Sequence, residues 1–498
     1  MALLFMDGFD KYGGINSIDA NVIALLTAGE WTTAGGSQHQ IVAPLSSTGY
    51  SLQLGNSTSI TRTLPANYSR LIGGMRFSSP LSFNGGLSFL DVGTAQASIT
   101  INSTGTFSVR NGGLAGTALG TSSATVTANT THYLEWDITL SNTGSFQLWL
   151  DGVSILSGSG DTTGTANNYA NQLQLALVSG GNTIIYDDLY LFDATGSTNN
   201  AVLNTSPRIE TQFPSSDGAV QSAVGAAVVG STLSRASVTG NVLVNTLYLR
   251  PVTPAVNCTI SSIGFLVGAN GNPSINFRPV IYTNSGSAAG TLLSAGSTIV
   301  GATAGTYVIC PLTTPQALVA GTTYWIGIMV DVAQTNFLTG TDANNNGVRA
   351  TSTFASGAPG TAPAMTTGQP SWLFFGVVSG ASNFYSVQQN PPQGQYSYVY
   401  DATVGHEDLY NFPALTSTAP IVYAVAVKGN IAKSDAGAKT MSLRTKSGAT
   451  DNAGSAGAMA PGTSYAWMTS LSPTDPATGA AWTLAALNAA QAGVRIES

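Results

Sequence analysis

A chain of 498 residues is too long for one hydrophobic core and predicts about three domains of ordinary size. Only 8% of its residues are charged, against roughly 25% in ordinary soluble domains. Thr, Ser, Asn, Gln and backbone must therefore carry solubility, as on a durable extracellular or particle-borne protein. A net charge of −7 with 16 Lys plus Arg, and no basic cluster or stripe, argues against nucleic-acid binding; no run approaches the roughly 18 apolar residues of a membrane span.

The chain opens MALLFMDGFD, whose apolar part is short, lacks a basic lead-in and meets an acid at Asp7, so no export signal is expected. From there to residue 192 the pattern is all-β, with about ten strand candidates from Ala2–Met6 to Thr183–Phe192, separated mostly by Gly, Asn or Ser. In His132–Leu156, Leu134, Trp136, Ile138 and Leu140 alternate, Ser141–Gly144 reverses the chain, and Phe146, Leu148 and Leu150 alternate back. Asp151–Gly152 supplies a tight turn into Val153–Leu156. Such a hairpin needs a second sheet to bury its apolar face, which predicts a sandwich or jelly roll.

The stretch YDDLYLFDAT, Tyr186–Thr195, closes this region. Strict alternation puts Ile185, Leu189, Leu191 and Asp193 on one face and Tyr186, Asp188, Tyr190 and Phe192 on the other. Beyond it the texture changes. Strands recur between residues 223 and 380, at Leu243–Leu249, Thr259–Val267, Asn276–Tyr282, Thr306–Leu312, Thr322–Val330 and Trp372–Val378. In the last portion Ile421–Val427 and Met441–Thr445 alternate as strands, Leu484–Ala492 reads as a short helix and Val494–Ile496 as a final strand.

FMDGFD (Phe5–Asp10), LEWDITLSNTGSFQLWLDG and IIYDDLYLFD together resemble the concanavalin A-like or laminin G-like jelly roll. That resemblance implies that Leu189–Phe192 pairs beside the N-terminal strand. MALLFMDGFDKY also resembles the start of a group of tailed-bacteriophage virion proteins, as do DATGSTNN, RIETQFPSSDG and the segments Ser386–Phe412, Ile421–Ala449 and Asp475–Glu497 further on. FRPVIYTNSGSAAGTLLSAGS and LVAGTTYWIGIMVD resemble jelly-roll modules appended to secreted and surface proteins. The expected organisation is an all-β, multi-domain chain. Residues 1–195 form the concanavalin A-like sandwich, 196–222 a linker and first strand of a C-terminal domain, 223–380 an inserted jelly-roll module, and 381–498 the rest of a small β domain with one short helix.

Candidate chemistry is sparse. His39, His132 and His406 are scattered, and no GxSxG elbow is present. Glu135 and Asp137 have the i, i+2 spacing of a glycosidase pair, but the alternation of Leu134, Trp136 and Ile138 turns them outward, so they are expected as solvated acids, as are Asp187 and Asp188. Asp342–Gly347, DANNNG, fits a calcium-binding turn, but Thr353 stands at the twelfth position and an ordinary loop is expected. Cys258 and Cys310 lack a CxxC or Cys/His cluster and read as buried free thiols rather than a disulfide or zinc site. Tyr324, Trp325, Trp372 and Phe374, with Tyr68 and Trp149, read as core, while Tyr169, Tyr282 and Tyr385 are better candidates for sugar stacking.

These readings lead to an expectation of a non-enzymatic structural component of a tailed-phage virion, exposed as a fibre, spike or decoration. It would contribute to attachment to host-surface glycan, with no catalytic residues, metal or cofactor. Expected partners are other virion proteins and copies of itself, a trimer favoured, without nucleic acid or membrane insertion; the site of action is the virion after release by lysis. The alternatives are a polysaccharide-degrading virion enzyme on the same fold and a purely architectural decoration protein.

Overall fold

The computed structural model describes all residues except 1–2, 14–25, 29, 36–37, 47–48, 82–83, 180–182, 196–199, 223, 231–237, 255, 341–346, 370–371, 380–382, 388–397 and 416–420. The fold is all-β, and the chain divides into two compact units: Met1–Gln212 with Asn411–Ser498, and Phe213–Tyr410.

The first unit is built on a sandwich of fifteen strands. In chain order they are β1 (Leu3–Asp7), β2 (Thr32–Gly35), β3 (His39–Val42), β4 (Ser51–Leu54) and β5 (Thr58–Tyr68). Next come β6 (Arg70–Ser78), β7 (Asn84–Asp91), β8 (Thr94–Ile101), β9 (Thr106–Asn111) and β10 (Thr117–Thr125). The last five are β11 (His132–Thr139), β12 (Gly144–Leu150), β13 (Val153–Gly160), β14 (Ala170–Ser179) and β15 (Ile184–Phe192). One sheet runs β13-β12-β11-β6-β15-β4-β3 with β1 added on β15, and the other runs β10-β9-β8-β7-β14-β5-β2. Alternation decides what lies between them: Leu134, Trp136 and Ile138 face Phe89, Ile99, Leu173 and Leu175 in one dry core. The last strand pairs antiparallel with the first, Phe5 opposite Leu191 and Asp7 opposite Leu189, as the resemblance implied.

β15 departs from strict alternation. Its register against β6 shifts between Asp187 and Tyr190, and Asp188 sits at φ 49°, so the strand carries a bulge. Before the bulge Ile184 and Tyr186 enter the core; after it Leu189 and Leu191 do. The expected face of Tyr186 is thereby corrected, because one inserted residue reverses the side to which every later side chain points.

The remainder of this unit covers the outer face of the β15-containing sheet. Strand Val425–Ile431 pairs with Ala466–Ser472, and Met441–Ser447 pairs with Gln491–Ile496 and Thr450–Asn452. The helix Leu484–Ala489 is capped by the Thr483 hydroxyl, which accepts the Ala486 N–H. Leu471, Ala424 and Ala426, with Val202 and Leu203 of the segment after β15, pack on Ile72, Tyr133, Tyr190 and Phe192.

The second unit holds its own sheets. One passes through Ala288–Ala295, Asn272–Ser285, Tyr324–Val330, Thr246–Val252, Gly347–Thr351 and Thr366–Gln369; another through Tyr307–Leu318, Cys258–Leu266, Phe374–Ser379 and Val224–Gly230. Phe265 joins them, edge-on to Phe277 at 5.3 Å and to Phe374 at 6.3 Å between ring centroids.

Candidate functional site

Glu135 and Asp137 both point outward from β11, but only one is solvated. Asp137 accepts two bonds from Arg70, at 2.9 and 2.6 Å. Glu135 is fully buried, and its Oε1 accepts the Tyr190 hydroxyl at 2.6 Å and the backbone N–H groups of Leu203 and Asn204 at 2.9 and 3.2 Å. The expectation of a solvated acid is corrected because the outer face of this sheet is itself covered. Burial pushes the Glu135 carboxyl up, against the pull of those hydrogen bonds.

Asp187 and Asp188 are corrected in the same way, at 2% and 1% exposure. Ser51 donates to Asp187 at 2.7 Å; Asp188 accepts Ile209 N–H at 2.7 Å and Arg76 Nε at 2.8 Å. Nearby Asp10 accepts the N–H groups of Tyr50 and Thr211, at 2.7 and 3.2 Å. Burial, with the neighbouring carboxylates adding to it, raises Asp10 to about 6 and Asp187 to about 7.

The histidines form no common site: His39 Nε2 lies 3.1 Å from the Ser59 carbonyl oxygen, His132 pairs with Asp151 at 2.7 Å, and His406 pairs with Asp401 at 2.7 Å. Cys258 and Cys310 are unpaired, and burial pushes the Cys310 thiol up to about 12. Tyr324, Trp325, Trp372 and Phe374 fill the core, while Tyr68, Trp149 and Tyr169 are half-buried. Tyr282 and Tyr385 are corrected as surface stacking candidates. Both are buried, with Tyr282 donating to the Pro359 carbonyl at 3.0 Å and Tyr385 to that of Val228 at 3.5 Å. Asp342–Asn346 of the calcium-like turn lie outside the described residues. Among the described residues no group of three or more His, Cys, Asp or Glu is placed to hold a metal ion.

Two arrangements escaped the sequence reading. The first is a buried ion cluster at the end of β1, where Lys11 reaches both Asp7 oxygens at 2.8 Å and Glu30 at 2.6 Å, and Lys428 reaches Glu30 at 3.1 Å. The Tyr12 hydroxyl and the Trp31 indole N–H also donate to Asp7, each at 3.0 Å. Burial tends to raise Asp7, but Lys11 and Lys428 outweigh it and hold the carboxyl below its usual range.

The second is the outer face of the β14-containing sheet. With Leu173, Leu175, Leu87, Phe89, Ile99, Phe107 and Val109 turned into the core, alternation leaves Gln172, Gln174, Ser88, Ser98, Thr100, Ser108 and Arg110 on the opposite side. Cross-strand bonds order these groups: Gln174 donates to Thr61 at 3.1 Å, Ser88 and Ser98 lie 2.8 Å apart, and Ser108 and Thr121 lie 2.9 Å apart. Arg110 donates to Thr100, the Gly116 carbonyl and Asn102 at 3.1, 2.8 and 3.4 Å. Loop residues 112–116 cover the β8 and β9 half, with Ser98 donating to the Gly112 carbonyl. Thr61, Gln172 and Gln174 are half-buried and Thr63 is exposed, so the β14 and β5 half meets solvent. A period-two run of Thr, Ser and Gln was the available sequence signal. Chemically this face offers neutral donors and acceptors in fixed rows, the groups that bind polyols.

No protein-family model matches the chain, and no curated protein matches it in sequence. Solved structures with a similar fold include an alginate lyase at 15% identity, covering 38% of this chain and 95% of that one at a TM-score of 0.29. An endo-β-1,4-glucuronan lyase from Trichoderma reesei is similar at 14% identity, 32% and 87% coverage and a TM-score of 0.24. A galectin-like protein of unknown function from Bacillus subtilis follows at 12% identity, 39% and 96% coverage and a TM-score of 0.28. The expectation of a non-enzymatic protein is corrected by this comparison, since polysaccharide lyases stand among the similar folds and the all-β frame does not separate binding from cleavage.

Proposed function

We propose that this chain is a glycan-recognising β-sandwich protein carried on the outside of a tailed-phage particle, and that the β14 and β5 half of its polar sheet face meets the polysaccharide. The observation that carries the reading is the ordered row of Gln172, Gln174, Thr61 and Thr63, whose amides and hydroxyls stand at the surface on rigid strands. Each neutral hydrogen bond to a sugar contributes only about 0.5–1.5 kcal/mol net, so a single site is weak. Repetition on a trimer or on the particle raises effective concentration without a new contact. The particle setting is supported by the N-terminal stretch MALLFMDGFDKY and by a composition with 8% charged residues.

A glycan array with the full chain tests recognition. Binding that disappears in the double variant Gln172→Ala, Gln174→Ala supports the reading; silence on bacterial surface polysaccharides, or binding that survives the variant, removes it. Reducing-end release measured in the same mixtures reads cleavage, and its appearance makes this face the substrate platform of a polysaccharide-degrading enzyme. Immunogold labelling of virions tests the setting, and absence of the chain from purified particles rules it out.

A further inference from the structure

The ion cluster at the end of β1 holds more chemistry than a salt bridge needs. Glu30 and Lys428 are 398 residues apart, and both Glu30 oxygens lie close to the Lys428 amine, Oε1 at 3.1 Å and Oε2 at 3.4 Å. One amine is thus within bonding reach of both oxygens, with the carboxyl carbon between them. The Glu30 side chain is 1% exposed, and the site is walled by Phe5, Tyr12, Trp31 and Trp467. Water is therefore scarce where its loss would be needed.

We propose that Lys428 and Glu30 condense to an intramolecular isopeptide bond that covalently ties strand Val425–Ile431 to the segment preceding β2. The bond formed is Lys428 Nζ to Glu30 Cδ; the bond broken is Cδ to one carboxyl oxygen. Of the three ammonium hydrogens, one stays on the amide nitrogen and two leave with that oxygen as water, so the ion pair supplies every atom of the products. No electron is gained or lost and no cofactor is consumed.

The neighbours divide the work. Lys11 donates to Glu30 Oε2 at 2.6 Å, which places a cationic donor on the oxygen that gains charge as Nζ attacks; the Tyr12 hydroxyl, 3.0 Å from Asp7, lies 3.2 Å from the same oxygen and has one hydrogen to give to either. The Thr469 hydroxyl donates to Oε1 at 2.8 Å, the oxygen that departs. Lys11 is a poor nucleophile because Asp7 grips its ammonium through both oxygens at 2.8 Å. Among the described residues Lys428 bonds to the Met6 carbonyl at 2.9 Å and to Glu30, and it lies 5.1 Å from the centre of the Phe5 ring. Burial also favours the uncharged amine at Lys428, lowering it to about 8 against the pull of Asp7 and Glu30. Condensation replaces two buried charges by a neutral amide and leaves Lys11 and Asp7 as a balanced pair, which removes the desolvation cost of the lost ions.

Intact-mass spectrometry of the purified full chain tests the bond. The expected result is a mass lower by one water than the Lys428→Arg variant corrected for the substitution, with a protease-resistant peptide pair joining Glu30 and Lys428. A wild-type chain that is folded and has its full mass overturns the proposal. So does a lost water mapped to another residue pair, or one that persists in Lys428→Arg. Peptide mapping of the wild type alone decides the question if that variant does not fold.

Discussion

The two outer faces of the first sandwich follow the same strand alternation and reach opposite ends. On the β15-containing sheet the outward residues include Glu135, Asp188, Arg76, Tyr133 and Tyr190, and protein covers them. On the β14-containing sheet they are Ser, Thr and Gln with Arg110, and half of that face meets solvent. On these two faces buried carboxylates lie where protein covers the sheet, and neutral polarity where the sheet meets water. With 8% charged residues, few acids are spent on solvation; Asp137 in β11 is one, while its neighbour Glu135 and the β15 pair Asp187 and Asp188 lie under cover.

The sharpest break of that comparison is Glu30→Ala. It leaves the ammonium groups of Lys11 and Lys428 beside Asp7 as the remaining carboxylate of the cluster, an uncompensated charge out of water. A loss of about 3–5 kcal/mol in denaturant-monitored stability is expected. Next is Tyr190→Phe, which removes the donor at 2.6 Å from buried Glu135 and is expected to cost about 1–3 kcal/mol. If either substitution proves neutral, the covered face does not depend on its polar pairing.

Asp187→Asn sharpens the comparison through pH. In the folded protein the Asp187 carboxyl keeps its proton up to about pH 7, chiefly because burial penalises the charge and Asp188 repels it; unfolded, it loses that proton near pH 4. The folded state binds more protons in this window, so the residue's contribution is complete below about pH 4 and is lost as pH rises through about 7. Asparagine cannot ionise. The variant is expected to match the wild type at about pH 4 and to exceed it by about 1–4 kcal/mol at about pH 8, the upper figure being the full linkage of the window, read from thermal melts at both.

Much of the sandwich was legible because alternation reports side. Leu134, Trp136 and Ile138 against Phe146, Leu148 and Leu150 set a hairpin, and a last strand beside the first followed from the jelly-roll likeness. What alternation cannot report is what lies over an outward face. The cover on Tyr190 and Ile72 comes from Leu471, Ala424 and Ala426, hundreds of residues later in the chain. The bulge at Asp188 was hidden for a local reason, since Asp-Asp in a strand carries no glycine to announce a positive φ. Tyr282 misled through its nearness to a loop: it lies in a central strand and its hydroxyl finds the Pro359 carbonyl instead of solvent.

The smallest expected effect on stability is on the open face, and it is the most informative about function. Gln172 and Gln174 lie beside Thr63 and Thr61 on β5 with their amides at the surface, so truncating either side chain uncovers no core and strands no buried charge. Each Gln→Ala change is expected within about 0.5 kcal/mol of the wild type. A ligand that uses both amides would lose two hydrogen bonds on the double substitution, about tenfold or more in affinity per site. Unchanged melting with lost glycan binding separates a recognition face from a merely solvated one, a separation no substitution on the covered face can make because stability falls there first.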